Sequence, residues 1–239
     1  MLHAHRRRAS LVGEFSPAPA GVNPAGPCPR VWGPDPKHRF DLDSSTQMLS
    51  ERFQLKMYLE PSEHFELEAL IPVLHRFIRE QVLSELVIDV VDYSHVPSGP
   101  GVVLIGHAAD YYVGELDGRV GLVFSRKRAA PAPEARLEDG LRHLVNVARL
   151  LEQDVTVKVR FRTNDLSLRL TDRLNASTDD AAFAEAKAEV ERVFGRVYGG
   201  STAVERLVEE RGPLGLGIKP SSAPTLKALL EKLGGPASS

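Results

Sequence analysis

The sequence has little cysteine, little net charge and no long apolar run. Cys28 is the one cysteine among 239 residues, which excludes an internal disulfide framework and a metal site built from cysteines. Acidic and basic side chains nearly balance, 32 against 30, and this disfavours a nucleic-acid binder with a basic surface. No stretch approaches the roughly 20 apolar residues that span a bilayer. We therefore expect a cytoplasmic protein that is not inserted in a membrane.

Common sequence signatures of enzymes are also missing. The chain has no Gly-rich phosphate loop ending in Lys-Ser or Lys-Thr, no Gly-x-Ser-x-Gly elbow and no His-Glu-x-x-His pair. The segment Gly99-Pro100-Gly101 joins two predicted strands and opens no helix, so it lacks the helix dipole and the free N–H groups that hold a phosphate. No nucleotide-binding or hydrolase class is therefore favoured by a motif.

The first 47 residues are rich in proline and have no periodic apolar pattern. They hold seven of the chain's 17 prolines and begin with the basic run Arg6-Arg7-Arg8. Such a segment buries too little surface to offset the entropy lost on ordering, so we predict that residues 1–47 are disordered. Two alternatives stay open: translation that starts at Met48, and an organelle transit peptide, which the proline content disfavours.

The segment 48–212 alternates between strand patterns and helix patterns. Apolar spacings of three and four predict helices near Glu68 and Leu137, and a third after Ser177-Thr178-Asp179-Asp180, which is an N-terminal capping signal. The segments with strand patterns are 53–59, 86–91, 102–105, 120–125, 155–161, 166–170 and 202–208.

The predicted order of elements is β-α-β-β-β-α-β-β-α-β. Runs of strands that do not alternate strictly with helices indicate an α+β fold, with about three helices packed on an antiparallel-dominated sheet. We predict a single α+β domain over residues 48–212. A flexible tail over residues 213–239 follows it, with a short helix at 225–233.

Polar residues concentrate on two predicted hairpins between residues 86 and 128. The first hairpin turns near residues 97 and 98, and the second turns at Asp117-Gly118. This register sets His107 beside Ile88 and Asp89, and it sets Asp110 beside Ser125 and Arg126. A carboxylate, an imidazole and a guanidinium would then converge.

Two kinds of site follow from this prediction. The candidate catalytic residues are Asp89, His107 and Asp110, because a carboxylate that orients a histidine suits general acid/base chemistry. A divalent metal is the alternative, with Asp89, His95, His107 and Asp110 as its ligands, although their spacing matches no standard metal motif. The residues that would bind a ligand are Asp92, Tyr93, His95, Tyr112, Arg126 and Arg128.

We favour a structural role for the same residues over both the acid/base site and the metal site. In this structural interpretation, Asp89 caps backbone groups of its hairpin, Asp110 pairs with Arg126, and His107 is a hydrogen-bonded histidine at a strand end. His143 lies at the edge of an apolar helix face, and we expect it to be packed there.

The run Leu-Val-Ile-Asp-Val-Val-Asp-Tyr-Ser-His that opens residues 86–111 resembles the core of a family of uncharacterised bacterial proteins. The resemblance extends through Arg128 and on to Tyr198, and it covers most of the predicted domain. It implies a bacterial cytosolic protein, and it supplies no catalytic residue, cofactor or substrate.

We expect a non-enzymatic binding or assembly module, since the sequence features specify packing and offer no recognisable catalytic set. The partner classes left open are another protein, a second copy of the chain, and a small anionic ligand; nucleic acid is disfavoured. The alternative function is a metal-assisted hydrolase or lyase with an Asp/His/Arg site on the hairpins.

Overall fold

The computed structural model describes residues 50–61, 65–97, 99–115, 117–128, 130–172, 177–207 and 212–235. These residues belong to one compact unit, Ser44–Ser239. The predicted disordered segment 1–47 lies outside the described residues.

The described residues form an α+β fold, which confirms the predicted class. Four helices are present where about three were predicted, and the fourth is the short helix expected at 225–233. The helices are α1 Leu70–Glu80, α2 Arg136–Gln153, α3 Asp180–Tyr198 and α4 Leu226–Lys232. The strands are β1 Phe53–Leu59, β2 Val87–Tyr93, β3 Gly101–Gly106, β4 Ala109–Glu115, β5 Val120–Arg126, β6 Phe161–Leu170, β7 Thr202–Leu207 and β8 Leu214–Pro220.

All eight strands form one antiparallel sheet in the order β2-β3-β4-β5-β1-β6-β8-β7. The strands β2 to β5 follow one another as a meander, and β1 inserts between β5 and β6. The strand β1 is central because its apolar residues Phe53, Leu55 and Met57 alternate and are fully buried. The strands β2 and β7 are the two edges of the sheet.

The two faces of the sheet have different coverings. One large hydrophobic core joins one face to the buried residues of all four helices. A second, smaller cluster on the other face consists of Val103, Tyr112 and Val123, which are all strand residues. Within the described ranges this second face carries no helix, and we call it the open face.

The helix boundaries follow local signals in the sequence. The carboxylate of Asp179 accepts a hydrogen bond from the amide of Ala182 at 2.8 Å, so the predicted capping signal does begin α3. Gly199 ends α3 with a φ of 75°, a backbone conformation that favours glycine.

The two predicted hairpins share one strand between the turn near residue 97 and the turn at Asp117-Gly118, and the prediction of a single strand there was wrong. The chain instead folds back at His107 and Ala108, which separates β3 from β4 and adds a strand to the sheet. Gly106 permits the tight turn, because a Cβ at this position would lie 2.3 Å from the carbonyl oxygen of Ala109.

Two further strand predictions differ from the structure. Residues 155–157 form a turn, and a single strand, β6, begins at Phe161 and runs to Leu170 in place of the two strands predicted at 155–161 and 166–170. Glu152 accepts a hydrogen bond from the amide of Phe161 at 2.8 Å, which fixes the start of β6 next to the end of α2.

The segment predicted to be a flexible tail contains the inner strand β8, which lies between β6 and β7. Its glycines suggest a loop, yet Leu214, Leu216 and Ile218 alternate with them and are buried in the main core. Gly215 and Gly217 are on the other face, where side chains of β7 lie over them. The domain therefore extends past residue 212.

Two helical glycines offer a matched test of this packing. A Cβ at Gly140 of α2 would lie 2.7 Å from the Phe53 ring, whereas one at Gly195 of α3 would meet nothing closer than 3.9 Å. We predict that Gly140→Ala lowers the free energy of unfolding by about 1 kcal/mol or more through overpacking. Gly195→Ala should raise it by about 0.5–1 kcal/mol through helix propensity. Urea denaturation measures both, and equal stabilisation by the two substitutions would contradict the packing of α2 on β1.

Candidate functional site

The residues proposed from the two hairpins are spread along one edge and both faces of the sheet. Asp89, Asp92 and Tyr93 are on the edge strand β2, and His95 is in the turn that follows it. The others are His107 in the β3–β4 turn, Asp110 and Tyr112 on β4, Arg126 at the end of β5, and Arg128 after it.

The register of the hairpins decides which of these residues meet. Asp110 lies opposite Ser125, as the turn at Asp117-Gly118 predicts. Asp89 lies opposite Ile105 rather than His107, because the chain has already turned at His107. The amide of His107 donates to the carbonyl oxygen of Leu86 at 2.8 Å, and its side chain is exposed.

The three aspartates bind backbone groups. Asp89 Oδ1 accepts from the amide of Val90 at 2.8 Å, and Asp92 Oδ1 accepts from the amide of Ser94 at 2.8 Å. The bond from Ser94 holds the pKa of Asp92 below its usual value. Carboxylates that accept such local amide hydrogen bonds stabilise the backbone conformation of the hairpin.

Asp110 pairs with Lys127, not with Arg126 as the structural interpretation expected. Lys127 Nζ lies 2.7 Å from Asp110 Oδ1, which also accepts from the amide of Gly106 at 3.2 Å. The reason is strand geometry, since Asp110 is on the open face and Arg126 is on the opposite face. Arg126 is only 5% exposed, and it pairs with Asp139 of α2.

The remaining ligand candidates are also separated. Tyr112 is buried on the open face, and burial raises its pKa to about 12. Tyr93, His95 and Arg128 are exposed. In the described part of the chain, no group of three or more His, Cys, Asp or Glu side chains lies close enough to hold a metal ion.

A polar cluster that the sequence does not reveal lies between the sheet and α2. The Tyr111 hydroxyl donates to Glu85, and it lies 3.0 Å from Nδ1 of His143. Asp139 is 3.8 Å from the other ring nitrogen of His143, whose ring stacks on Phe124. Burial raises the pKa of Tyr111 well above its usual value and lowers that of His143.

This cluster anchors the beginning of the edge strand. Glu85 lies two residues before β2, and its second oxygen accepts from the amide of Ala109 at 3.1 Å. Tyr111 is almost fully buried, so a substrate does not reach its hydroxyl. Three segments far apart in sequence are thereby tied together: the start of β2, the strand β4 and the helix α2.

The open face has a charged centre around Lys56. This lysine is 2% exposed, and it donates to Asp117 and to the carbonyl oxygen of Arg119. Tyr58 also donates to Asp117 at 2.6 Å, and the guanidinium of Arg119 lies over the Tyr58 ring at 3.6 Å. The cluster ties β1 to the β4–β5 turn.

The electrostatics of this centre reflect burial and pairing. Burial lowers the pKa of Lys56, although its pairing with Asp117 acts in the opposite direction. Burial also opposes ionisation of Asp117, yet hydrogen bonds from Lys56 and Tyr58 hold the pKa of this carboxyl below its usual value. A lysine with a lowered pKa can be a nucleophile, but Lys56 is enclosed and already bonded, so its geometry favours a structural role.

The two edges of the sheet differ in their exposed side chains. Five large hydrophobic residues are exposed in the described part of the chain, and four of them belong to β2 or its ends. These four are Leu86, Ile88, Tyr93 and Val96, exposed by 66%, 56%, 40% and 40%; the fifth is Val155. We call these four side chains and β2 the apolar edge.

The opposite edge, β7, is covered by ion pairs. Arg206 pairs with Asp180 at 3.0 Å and lies over the Phe183 ring, and Glu205 pairs with Lys219 at 2.7 Å. Charged side chains on an edge strand discourage the addition of another strand. The sheet therefore has one protected edge and one apolar edge.

Comparison of the chain with protein-family models, curated proteins and solved structures found no match. The helices of the described residues include none that is long and apolar enough to cross a membrane.

The Lys56–Asp117 pair gives a direct test of the structural role assigned to the open-face centre. Asp117→Ala leaves a buried ammonium without its carboxylate, and we predict a loss of about 3 kcal/mol in the free energy of unfolding. Adding Lys56→Met should recover most of this loss, because the unpaired charge is then removed. Lys219→Met, which breaks an exposed pair, is the control, with an expected change below about 1 kcal/mol. Urea denaturation that shows similar small changes for Asp117→Ala and Lys219→Met would contradict the assignment.

Proposed function

We propose that this protein is a non-enzymatic binding or assembly module, and that it binds an extended segment of a protein partner along the apolar edge. The observation that carries the proposal is the concentration of exposed large hydrophobic side chains there, four of five in the described part of the chain. Exposed apolar patches of this kind are typical of interaction surfaces.

The backbone of β2 supports the same proposal. This strand pairs with β3 on one side only, so N–H and C=O groups along its other side face outward. An extended segment that adds to such an edge gains main-chain hydrogen bonds, and alternate side chains supply specificity. The cluster of Glu85, Tyr111 and His143 fixes the start of β2, so the edge is held in place before a partner arrives.

The geometry of the aspartates favours binding over the metal-assisted hydrolase or lyase. Asp89, Asp92 and Asp110 all accept backbone hydrogen bonds, and Arg126 is on the face opposite to Asp110. General acid/base or metal chemistry needs such groups to converge on one substrate position. The cytoplasm of a bacterium is the compartment that we propose, in keeping with a single cysteine and with the sequence resemblance.

A photo-crosslinking experiment tests the proposed function. A benzophenone amino acid replaces Ile88 in the full chain, expressed in its native host, and a second version replaces Val155, an exposed hydrophobic residue away from the edge. We expect one discrete adduct from position 88 that position 155 does not give. The captured protein, once purified, should bind the wild-type chain and not a Val91→Lys variant, whose added charge blocks the edge.

Equal, diffuse adducts from both positions would contradict the binding role of the apolar edge. The same conclusion would follow if Val91→Lys bound the purified partner as well as the wild-type chain does.

A further inference from the structure

We infer that the partner at the apolar edge is a second copy of this chain, with β2 pairing antiparallel with β2 across a two-fold axis at Val91. This inference rests on the proposed function and specifies its partner. The resulting dimer would join two eight-stranded sheets into one continuous sheet.

The outward backbone groups of β2 set the register of such a pairing. The Val90 amide donates to Asp89 Oδ1, so it points away from β3. Along an antiparallel strand, residues whose backbone N–H and C=O groups face outward alternate with residues whose groups face inward. The backbone N–H and C=O groups of Asp92 therefore also face away from β3. A two-fold axis at Val91 sets Val90 of one copy opposite Asp92 of the other, and these two residues can exchange both of their main-chain hydrogen bonds.

The side chains are complementary in this register. Asp89 of each copy lies opposite Tyr93 of the second copy, so a phenol can donate to a carboxylate at both ends of the pairing. The two Val91 residues face each other at the axis. The exposed Leu86, just before β2, is brought toward the turn that carries Val96 of the second copy, so that apolar side chains at the two ends of the edge cover each other.

The neighbouring register is less favourable. A two-fold axis at Val90 would place the exposed Ile88 opposite Asp92 of the second copy and Asp89 opposite Val91. Both carboxylates of each copy would then face apolar side chains, whereas the axis at Val91 gives Asp89 the hydroxyl of Tyr93 as its partner. The axis at Val91 is therefore the register that the side chains select.

Two features of the edge weaken the pairing and keep it reversible. Asp89 must release the Val90 amide before a second strand can bond to it. The two Asp92 carboxylates also approach each other diagonally across the axis, and like charges on neighbouring strands repel. No basic side chain lies on β2 itself to neutralise them. We therefore expect a dimer that forms at high protein concentration and is stabilised by salt.

Disulfide trapping tests this register. The full-length variant Cys28→Ser, Val91→Cys carries one thiol at the axis, where facing Cβ atoms of a non-hydrogen-bonded pair are about 4.5–5.5 Å apart. This separation is close to that of a disulfide. The matched control is Cys28→Ser, Tyr93→Cys, because the two copies of residue 93 would be displaced by roughly 14 Å along the strands.

We expect the variant at position 91 to form a covalent dimer under mild oxidation at least about tenfold faster than the variant at position 93, because pairing raises the local thiol concentration. In the reduced wild-type background, Asp92→Asn should tighten the dimer about two- to fivefold by sedimentation equilibrium, since it removes the repulsion across the axis. Equal oxidation rates for the two cysteine variants, or dimerisation that Asp92→Asn leaves unchanged, would overturn the inference.

The two proposals fail in different ways. If position 91 does not crosslink and the photo-crosslinker at position 88 captures a different protein, the second copy is wrong and the binding function stands. If position 88 captures nothing discrete and position 91 does not crosslink, both are wrong.

Discussion

An open β-sheet ends in two strands whose outer backbone groups have no neighbour within the sheet, and the rest of this structure is arranged around that constraint. The edge β7 is protected by ion pairs of Arg206 and Glu205 and by the packing of α3. Along the edge β2 the Val90 amide donates to Asp89, beside a row of exposed apolar side chains. The asymmetry between the two edges is the basis of the proposed binding function.

The interior holds β2 in a fixed position while leaving its outer side open. Four helices cover one face of the sheet, and α1 packs next to β2. The Glu85–Tyr111–His143 cluster ties the segment that leads into β2 to β4 and α2. On the open face, Lys56 and Asp117 join β1 to the β4–β5 turn. The meander, of which β2 is the outermost strand, is thus held by contacts on both faces of the sheet. This reduces the conformational entropy that is lost when another strand adds to β2.

Much of the fold could be predicted from local patterns. The alternation of Phe53, Leu55 and Met57 identified β1, and Asp179 marked the start of α3. The break between β3 and β4 was missed because apolar residues continue on both sides of Gly106, and only the close approach of Ala109 shows why the glycine is needed. The strand β8 was missed because alternating glycines resemble a loop.

The candidate site was harder to predict, for a physical reason. The pairing of Asp110 with Ser125 follows from one turn, so the sequence predicts it. The contact of Tyr111 with Glu85 and His143 depends on how α2 lies on the sheet, and no local pattern carries that information. The predicted ion pair of Asp110 with Arg126 was wrong, because strand geometry places Arg126 on the other face of the sheet. Lys127 reaches the carboxylate instead.

Binding at the apolar edge requires that the outer side of β2 is open in the single chain and becomes covered when a partner binds. Amide hydrogen exchange of the purified full chain at a low and a high protein concentration tests this directly. We expect the amides of Val90 and Asp92 to exchange quickly at low concentration and to become protected at high concentration, while exchange of the β7 amides does not change. Exchange at Val90 and Asp92 that is equally slow at both concentrations, or that changes no more than exchange in β7, would contradict it.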